Sequence, residues 1–187
     1  MGRARCAAAV AAAAAMLVVL APAAPAAARP DQERPVAPAA ARLGPYPGNA
    51  VVDYRPGPRV GVVHRDRTDR PAGARYSVCY VNAFQSQPGG ARDWGGLLLR
   101  DARGRLVQDE GWPGEYLVDT RRAAEVAALV GRWVRGCAAK GFAAVELDNL
   151  DSFTRSRGLL RARDNLRLLA RLVAAGHAAG LAVAQKN

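Results

Sequence analysis

The chain has 187 residues and a formal net charge of +11, from 27 Lys and Arg against 16 Asp and Glu. Nearly all the cations are Arg, no basic run is interleaved with aromatics, and no helix carries a continuous basic face, so the charge excludes a nucleic-acid partner. With Ala so abundant, the Arg bias reads as codon usage rather than as a binding surface.

Residues 1–28 read as a secretory signal peptide: a basic MGRAR start, the apolar run CAAAVAAAAAMLVVLA, then small residues ending at Ala26-Ala27-Ala28. The run is too short and Ala-rich for a good membrane span; an uncleaved anchor helix is the alternative. Removal takes away Arg3, Arg5 and Cys6, leaves a charge of about +9 and implies a secreted protein with no stable membrane association. Two cysteines remain, Cys79 and Cys137. Export permits one disulfide between them; two buried thiols are the other reading. Residues 29–48 are rich in Pro, Ala and Arg without periodicity and read as a linker.

Elements are expected from Asn49 onward. Ala50–Tyr54 is a short strand, Arg59–His64 a second, and Tyr76–Phe84 the clearest third. Leu97–Leu99 reads as a short irregular strand before a turn at Gly104. Val126, Leu129, Val130, Trp133, Val134 and Cys137 recur at three- and four-residue steps, which predicts a helix over 121–139, capped by Asp119 or Thr120 and closed by Gly141. Strand Phe142–Asp148 follows. A second helix runs over 159–178 with Leu166, Leu169, Leu172 and Val173 as its apolar face, and Gly180 ends it. Leu181–Gln185 is a last strand. The alternation predicts a parallel α/β sheet, its strands covered by helices. No Gly-rich phosphate loop follows an early strand, so a dinucleotide fold is not supported, and no cofactor is expected.

In such folds chemistry gathers at the C-terminal strand ends. The ends here are polar: Asp53-Tyr54, His64 to Arg67, Asn82 to Gln85, Asp148-Asn149 and Gln185 to Asn187. The stretch VELDNLD over 145–151 concentrates acids. Alternation puts Val145 and Leu147 on one face and Glu146 and Asp148 on the other. If helices cover the first face, Glu146 and Asp148 point inward, with Asp148 nearer the mouth, Lys186 as a partner for Glu146, and Asp151 reaching back from the loop. Asp148 then reads as a catalytic carboxylate supported by Glu146, Asn149 and Asp151. A solvated strand end is the plain alternative. The spacing of 146, 148 and 151 fits no calcium loop of the EF-hand type and no pair of His stands nearby, so no metal is expected. His177 suits a helix C-terminus; Ser77 and Ser86 lack a nucleophile-elbow context. Trp112 and Tyr116 offer flat faces for a sugar, or else fold over the core.

Taken in order, VVDYRPG, CYVNAFQSQP, WPGEYLVD, GFAAVELDNLDSFTRSRGLL and LAVAQKN resemble glycoside hydrolase family 114, over Val51 to Asn187. The resemblance implies a secreted (β/α)8 TIM-barrel with endo-α-1,4-polygalactosaminidase activity on a galactosamine polysaccharide. It implies Asp148 as the catalytic carboxylate at the end of the fourth barrel strand. It is consistent with Asp53, Tyr54, Asn82, Gln85, Trp112, Tyr116, Lys186 and Asn187 as substrate-binding residues. About five of eight strands are accounted for, and the family's second carboxylate, on the sixth strand, has no counterpart here. A glycosidase needs two carboxylates. The expectation is therefore an inactive fragment of a hydrolase, with a non-catalytic carbohydrate-binding barrel as the alternative.

Overall fold

A computed structural model describes residues 61–72 and 76–187. Four strands, β1 (Val62–Asp66), β2 (Tyr76–Asn82), β3 (Ala144–Asp148) and β4 (Ala182–Gln185), lie parallel in the order β1-β2-β3-β4. Helix α1 (Ala123–Ala139) leads into β3, and α2 (Ala162–Ala178) connects β3 to β4. This is an arc of a (β/α) barrel. The expected strand Ala50–Tyr54, the leader and the linker lie outside the described residues, so four of the five expected strands are seen.

The two faces of the arc are built as alternation requires. Cys79, Val81, Val145 and Leu147 point outward into the main core, where they meet Val126, Val130, Val134 and Cys137 of α1 and Leu168 and Leu172 of α2. Each fully buried aliphatic side chain here contributes about 1.5–3 kcal/mol of burial free energy. A disulfide joins Cys79 of β2 to Cys137 of α1. The inner face starts with a small apolar layer of Val62, Val78 and Ala144, flanked by Tyr76 and Ala182. Above it the face turns polar. His64 Nδ1 of β1 meets Glu146 Oε2 of β3 at 3.3 Å, across the intervening β2. Strands two apart in a flat sheet stand about 10 Å from each other; the contact closes because both side chains lean into a concave face.

Several boundaries differ from the sequence reading. β1 is shifted to Val62–Asp66, which makes His64 a mid-strand residue rather than a strand end. β2 stops at Asn82; Ala83 and Phe84 stay buried beyond it. The first helix opens with a 3-10 turn, Thr120–Arg122, whose N-cap Asp119 accepts from the Arg121 N–H at 3.3 Å. Thr120 Oγ1 instead donates to Asn165 Oδ1 at 2.6 Å. α2 starts at Ala162, where Arg161 N–H donates to Asp164 Oδ2 at 3.0 Å. Its apolar face is also rotated: Leu166 is 55% exposed, while Leu168 and Leu172 are buried. Leu97–Leu99 form no regular strand. The segment from 97 to 118 is an irregular ladder of isolated antiparallel bridges, Leu98 to Val118, Arg100 to Leu106 and Gln108 to Tyr116. Gly141 and Gly180 close the two helices in left-handed conformation, φ 89° and 77°.

Helix α2 lies close on the sheet at Gly176. A Cβ there would meet Val183 Cγ2 at 2.5 Å and Val145 Cγ1 at 3.6 Å. Gly176→Ala is therefore expected to destabilise by about 1–3 kcal/mol through overpacking, and Gly176→Ala with Val183→Ala to recover part of that loss, as read by urea unfolding. A single variant as stable as the parent contradicts the close approach.

Burial pulls the His64 pKa down, Glu146 opposes this in part, and Lys186 adds to the depression. The folded state thus binds the proton more weakly than the unfolded chain does. The resulting stability is present above the ordinary histidine value of about 6.5 and is lost as pH falls below it. His64→Gln is expected to flatten the loss of unfolding free energy between about pH 7 and pH 5. An unchanged slope assigns that loss to other groups.

Candidate active site

β3 ends on Asp148, and the next residue breaks the strand. Asn149 takes a left-handed backbone, φ 67°, a conformation that Asn tolerates better than most residues. A 3-10 turn, Leu150–Arg155, follows. The turn is bolted down by Asn165 of α2, fully buried, whose amide donates to Leu150 O at 2.7 Å and Ser152 Oγ at 2.9 Å. Asp148 is thus held at a fixed strand end.

The Asp148 carboxylate is 4% exposed and accepts from four donors. Tyr80 Oη donates to Oδ2 at 2.7 Å and Lys186 Nζ to the same oxygen at 3.0 Å. The Asn149 N–H donates to Oδ1 at 2.8 Å and Asn187 Nδ2 to Oδ1 at 3.3 Å. This donor set matches an ionised carboxylate, which is an acceptor only. Tyr80 is itself 1% exposed, with the Lys186 ammonium 5.8 Å from its ring centroid. Burial first, and then the Asp148 charge, push the Tyr80 pKa up, so its hydroxyl stays a proton donor.

The supporting acids divide. Lys186, expected beside Glu146, gives its ammonium to Asp148, and Glu146 meets His64. Asp151 does not reach back over Asp148: its Oδ2 accepts from Arg155 at 2.7 Å. Arg155 also reaches Asp109 Oδ2 at 2.6 Å and donates to Asn149 Oδ1 at 3.0 Å. Asn149 in turn donates from Nδ2 to Asn82 Oδ1 at 3.0 Å.

Of the substrate-binding residues expected from sequence, Asn82, Lys186 and Asn187 gather around Asp148, as does Asn149, expected as its support. Asp53 and Tyr54 lie outside the described residues. Gln85 is fully buried and spends its amide on Glu115, so it presents no surface to a sugar. Tyr116 is half-buried against the main core rather than displayed. Trp112 is 59% exposed at the tip of the 97–118 ladder.

Three residues escaped the sequence reading. Tyr80 and Arg155 lie inside stretches noted for other residues, and Glu115 is an acid in a loop of acids. Glu115 is 2% exposed and accepts from Gln85 Nε2 at 2.7 Å. Burial raises its pKa; Asp109 and Asp148 push the same way, while Gln85 and Asn82 oppose. The available signal for Tyr80 was alternation: it shares a strand face with Asn82 and pairs in register with Glu146. Among the described residues no three His, Cys, Asp or Glu converge to hold a metal ion.

Comparison with known proteins bears on this arrangement. The model of glycoside-hydrolase family GH114 matches residues 23–187. No curated protein matches the chain. Among solved structures, Ega3 of Aspergillus fumigatus in complex with galactosamine superposes with a TM-score of 0.56 at 21% identity, covering 68% of this chain and 53% of that one. The glycoside hydrolase domain of PelA from Pseudomonas aeruginosa superposes with a TM-score of 0.51 at 22% identity, covering 69% of this chain and 53% of that one. The chain therefore spans about half the length of each structure, and at this identity the likeness is one of fold. The family match takes in both the arc of the barrel and the acid-rich end of β3, and by it the chain belongs to glycoside-hydrolase family GH114.

Proposed function

We propose that the whole protein is a secreted glycoside hydrolase cleaving α-1,4-linked galactosamine polysaccharide, with Asp148 as nucleophile or electrostatic stabiliser of the developing positive charge. The observation that carries this reading is the Asp148 carboxylate, buried at a strand end and met only by donors. A carboxylate so held is fixed in place, as a group that stabilises developing oxocarbenium charge must be. Membership of the family supports hydrolysis, and the galactosamine complex of Ega3 supports an amino-sugar substrate. The net positive charge of the chain is no obstacle, since salt screens exposed charges beyond about 8–10 Å. The leader at 1–28 and the disulfide between Cys79 and Cys137 support export.

Each of the other described acids around Asp148 has a partner of its own: Glu146 has His64, Glu115 has Gln85, and Asp109 and Asp151 share Arg155. The second carboxylate that glycoside hydrolysis requires is expected on the sixth barrel strand, which has no counterpart among the four described strands, and the described arc by itself is proposed to be inactive. The exposed Trp112 favours a second reading, a carbohydrate-binding barrel without turnover.

Hydrolysis of an α-1,4-galactosamine polymer by the whole protein, followed as new reducing ends, separates the two. Asp148→Asn is expected to lower kcat by at least about a thousandfold while polymer binding persists; full activity in that variant removes Asp148 from the chemistry. Binding without turnover in the parent favours the second reading. Tyr80→Phe keeps the ring and deletes one donor to Oδ2. It is expected to lower kcat about ten- to a hundredfold with KM little changed, as a small displacement of a reacting group does. Parent-like kinetics in Tyr80→Phe show that Lys186, Asn149 and Asn187 suffice to hold the carboxylate.

A further inference from the structure

We propose, on the reading of Asp148 as the working carboxylate, that Arg155 is a positioning residue of the site, acting through Asn149. The two oxygens of Asp148 are held unequally. Oδ2 accepts from Tyr80 Oη at 2.7 Å and from Lys186 Nζ at 3.0 Å. Oδ1 has one short donor, the Asn149 N–H at 2.8 Å, while Asn187 Nδ2 stands off at 3.3 Å. The rotation of the carboxylate about its own bond is therefore set chiefly by the Asn149 N–H. That N–H belongs to a residue with a left-handed backbone, φ 67°. Such a conformation costs a non-glycine residue energy and persists where its surroundings impose it.

The Asn149 side chain supplies the constraint, because both its polar atoms are engaged. Oδ1 accepts from Arg155 Nη2 at 3.0 Å, and Nδ2 donates to Asn82 Oδ1 at 3.0 Å. An amide can be turned end for end, and a guanidinium, which only donates, settles which end faces it. Arg155 takes the oxygen and leaves the nitrogen to Asn82, which stands in register with Asp148 on the neighbouring strand. Asn149 is thus clamped between a strand and a cation, and the clamp aims its N–H.

Arg155 is itself anchored on two further sides. Its Nη1 donates to Asp151 Oδ2 at 2.7 Å. Its Nε stands 2.6 Å from Oδ2 of Asp109, an ion-pair contact outside aligned hydrogen-bond geometry. Asp109 is 1% exposed and belongs to the 97–118 ladder. Each of the three guanidinium nitrogens therefore has its own partner. A lysine ammonium is a single point charge and does not reproduce that fork. The turn after Asp148 has a separate tether, the Asn165 amide, which donates to Leu150 O and Ser152 Oγ. Loss of the fork is thus expected to free the Asn149 side chain while the turn stays docked.

Hydrogen exchange followed by NMR on the chain tests this at the backbone and side-chain amides of Asn149, with the Asn165 side-chain amide reporting on the docking of the turn. In the parent all three are expected to be protected. In Arg155→Lys both Asn149 signals are expected to exchange at least about tenfold faster, with Asn165 unchanged. Unchanged Asn149 exchange overturns the proposal, and so does an equal acceleration at Asn165, which would make Arg155 a prop of the whole turn. Arg155→Gln is read in the same way if the lysine variant does not fold, and an unprotected Asn149 side chain in the parent overturns the proposal without any variant. In the active whole protein, Arg155→Lys is expected to lower kcat about tenfold with KM little changed. Asn149→Gly keeps the N–H and tolerates the left-handed backbone but removes the clamp. It is expected to lose as much, and Arg155→Lys to add nothing to it; additive losses overturn the route through Asn149. The exchange measurement needs no turnover. A parent protein that fails to cleave the polymer therefore overturns the hydrolase reading while the exchange still decides this one.

Discussion

Every acid buried on the inner face of the arc must be met by donors from a neighbouring segment. Taking a carboxylate out of water costs several kcal/mol unless hydrogen bonds and an opposite charge replace the solvent. The neighbouring parallel strands supply them. Tyr80 pairs in register with Glu146 and sends its hydroxyl one step further to Asp148, while Asn82, in register with Asp148, accepts from the Asn149 amide. β1 adds His64, which stands in register with Val78 and Ala144 and reaches up to Glu146, and Lys186, just past β4, reaches Asp148. The polar layer thus depends on all four strands, resting on the apolar floor of Val62, Val78 and Ala144.

The connections carry as much of the site as the strands. The ladder from 97 to 118 and the turn after Asp148 share a small core of Leu99, Val107, Leu117 and Leu160, with Phe153 and Leu159 against it. Arg155 crosses between them to Asp109, and Asn165 ties the turn to α2. A loop with a packed core of its own can position a carboxylate as firmly as a strand does, which is how Glu115 comes to be buried where no regular element holds it.

The inward pair Glu146 and Asp148 was legible in the sequence, because strand alternation is a local property and the apolar residues of the outer face are unambiguous. The helix α1 was legible for the same reason. Leu166 was misplaced because a leucine-rich helix offers two plausible stripes; Leu172 belongs to both, and only the packing into the main core selects Leu168 over Leu166. The shift of β1 toward Asp66 reflects a residue whose side chain is satisfied within the fold: Asp66 accepts from Thr68 and Gln87, which a sequence pattern does not reveal. Tyr80 and Glu115 stayed hidden because their roles lie in partners 68 and 30 residues away, Asp148 and Gln85. The family resemblance pointed to Asp148 but was silent on what holds it.

The bond between Cys79 and Cys137 closes a covalent ring 58 residues in sequence separation. That ring contains the whole 97–118 ladder, including its exposed tip at Trp112. Exposed turns of this kind are where proteases nick chains. A cut there opens the ring without dividing the molecule: the two pieces stay joined through the disulfide, and the strands on either side keep their places in the sheet. The ring's connectivity thus adds a covalent tether to the sheet and core contacts, and a reducing medium removes that tether.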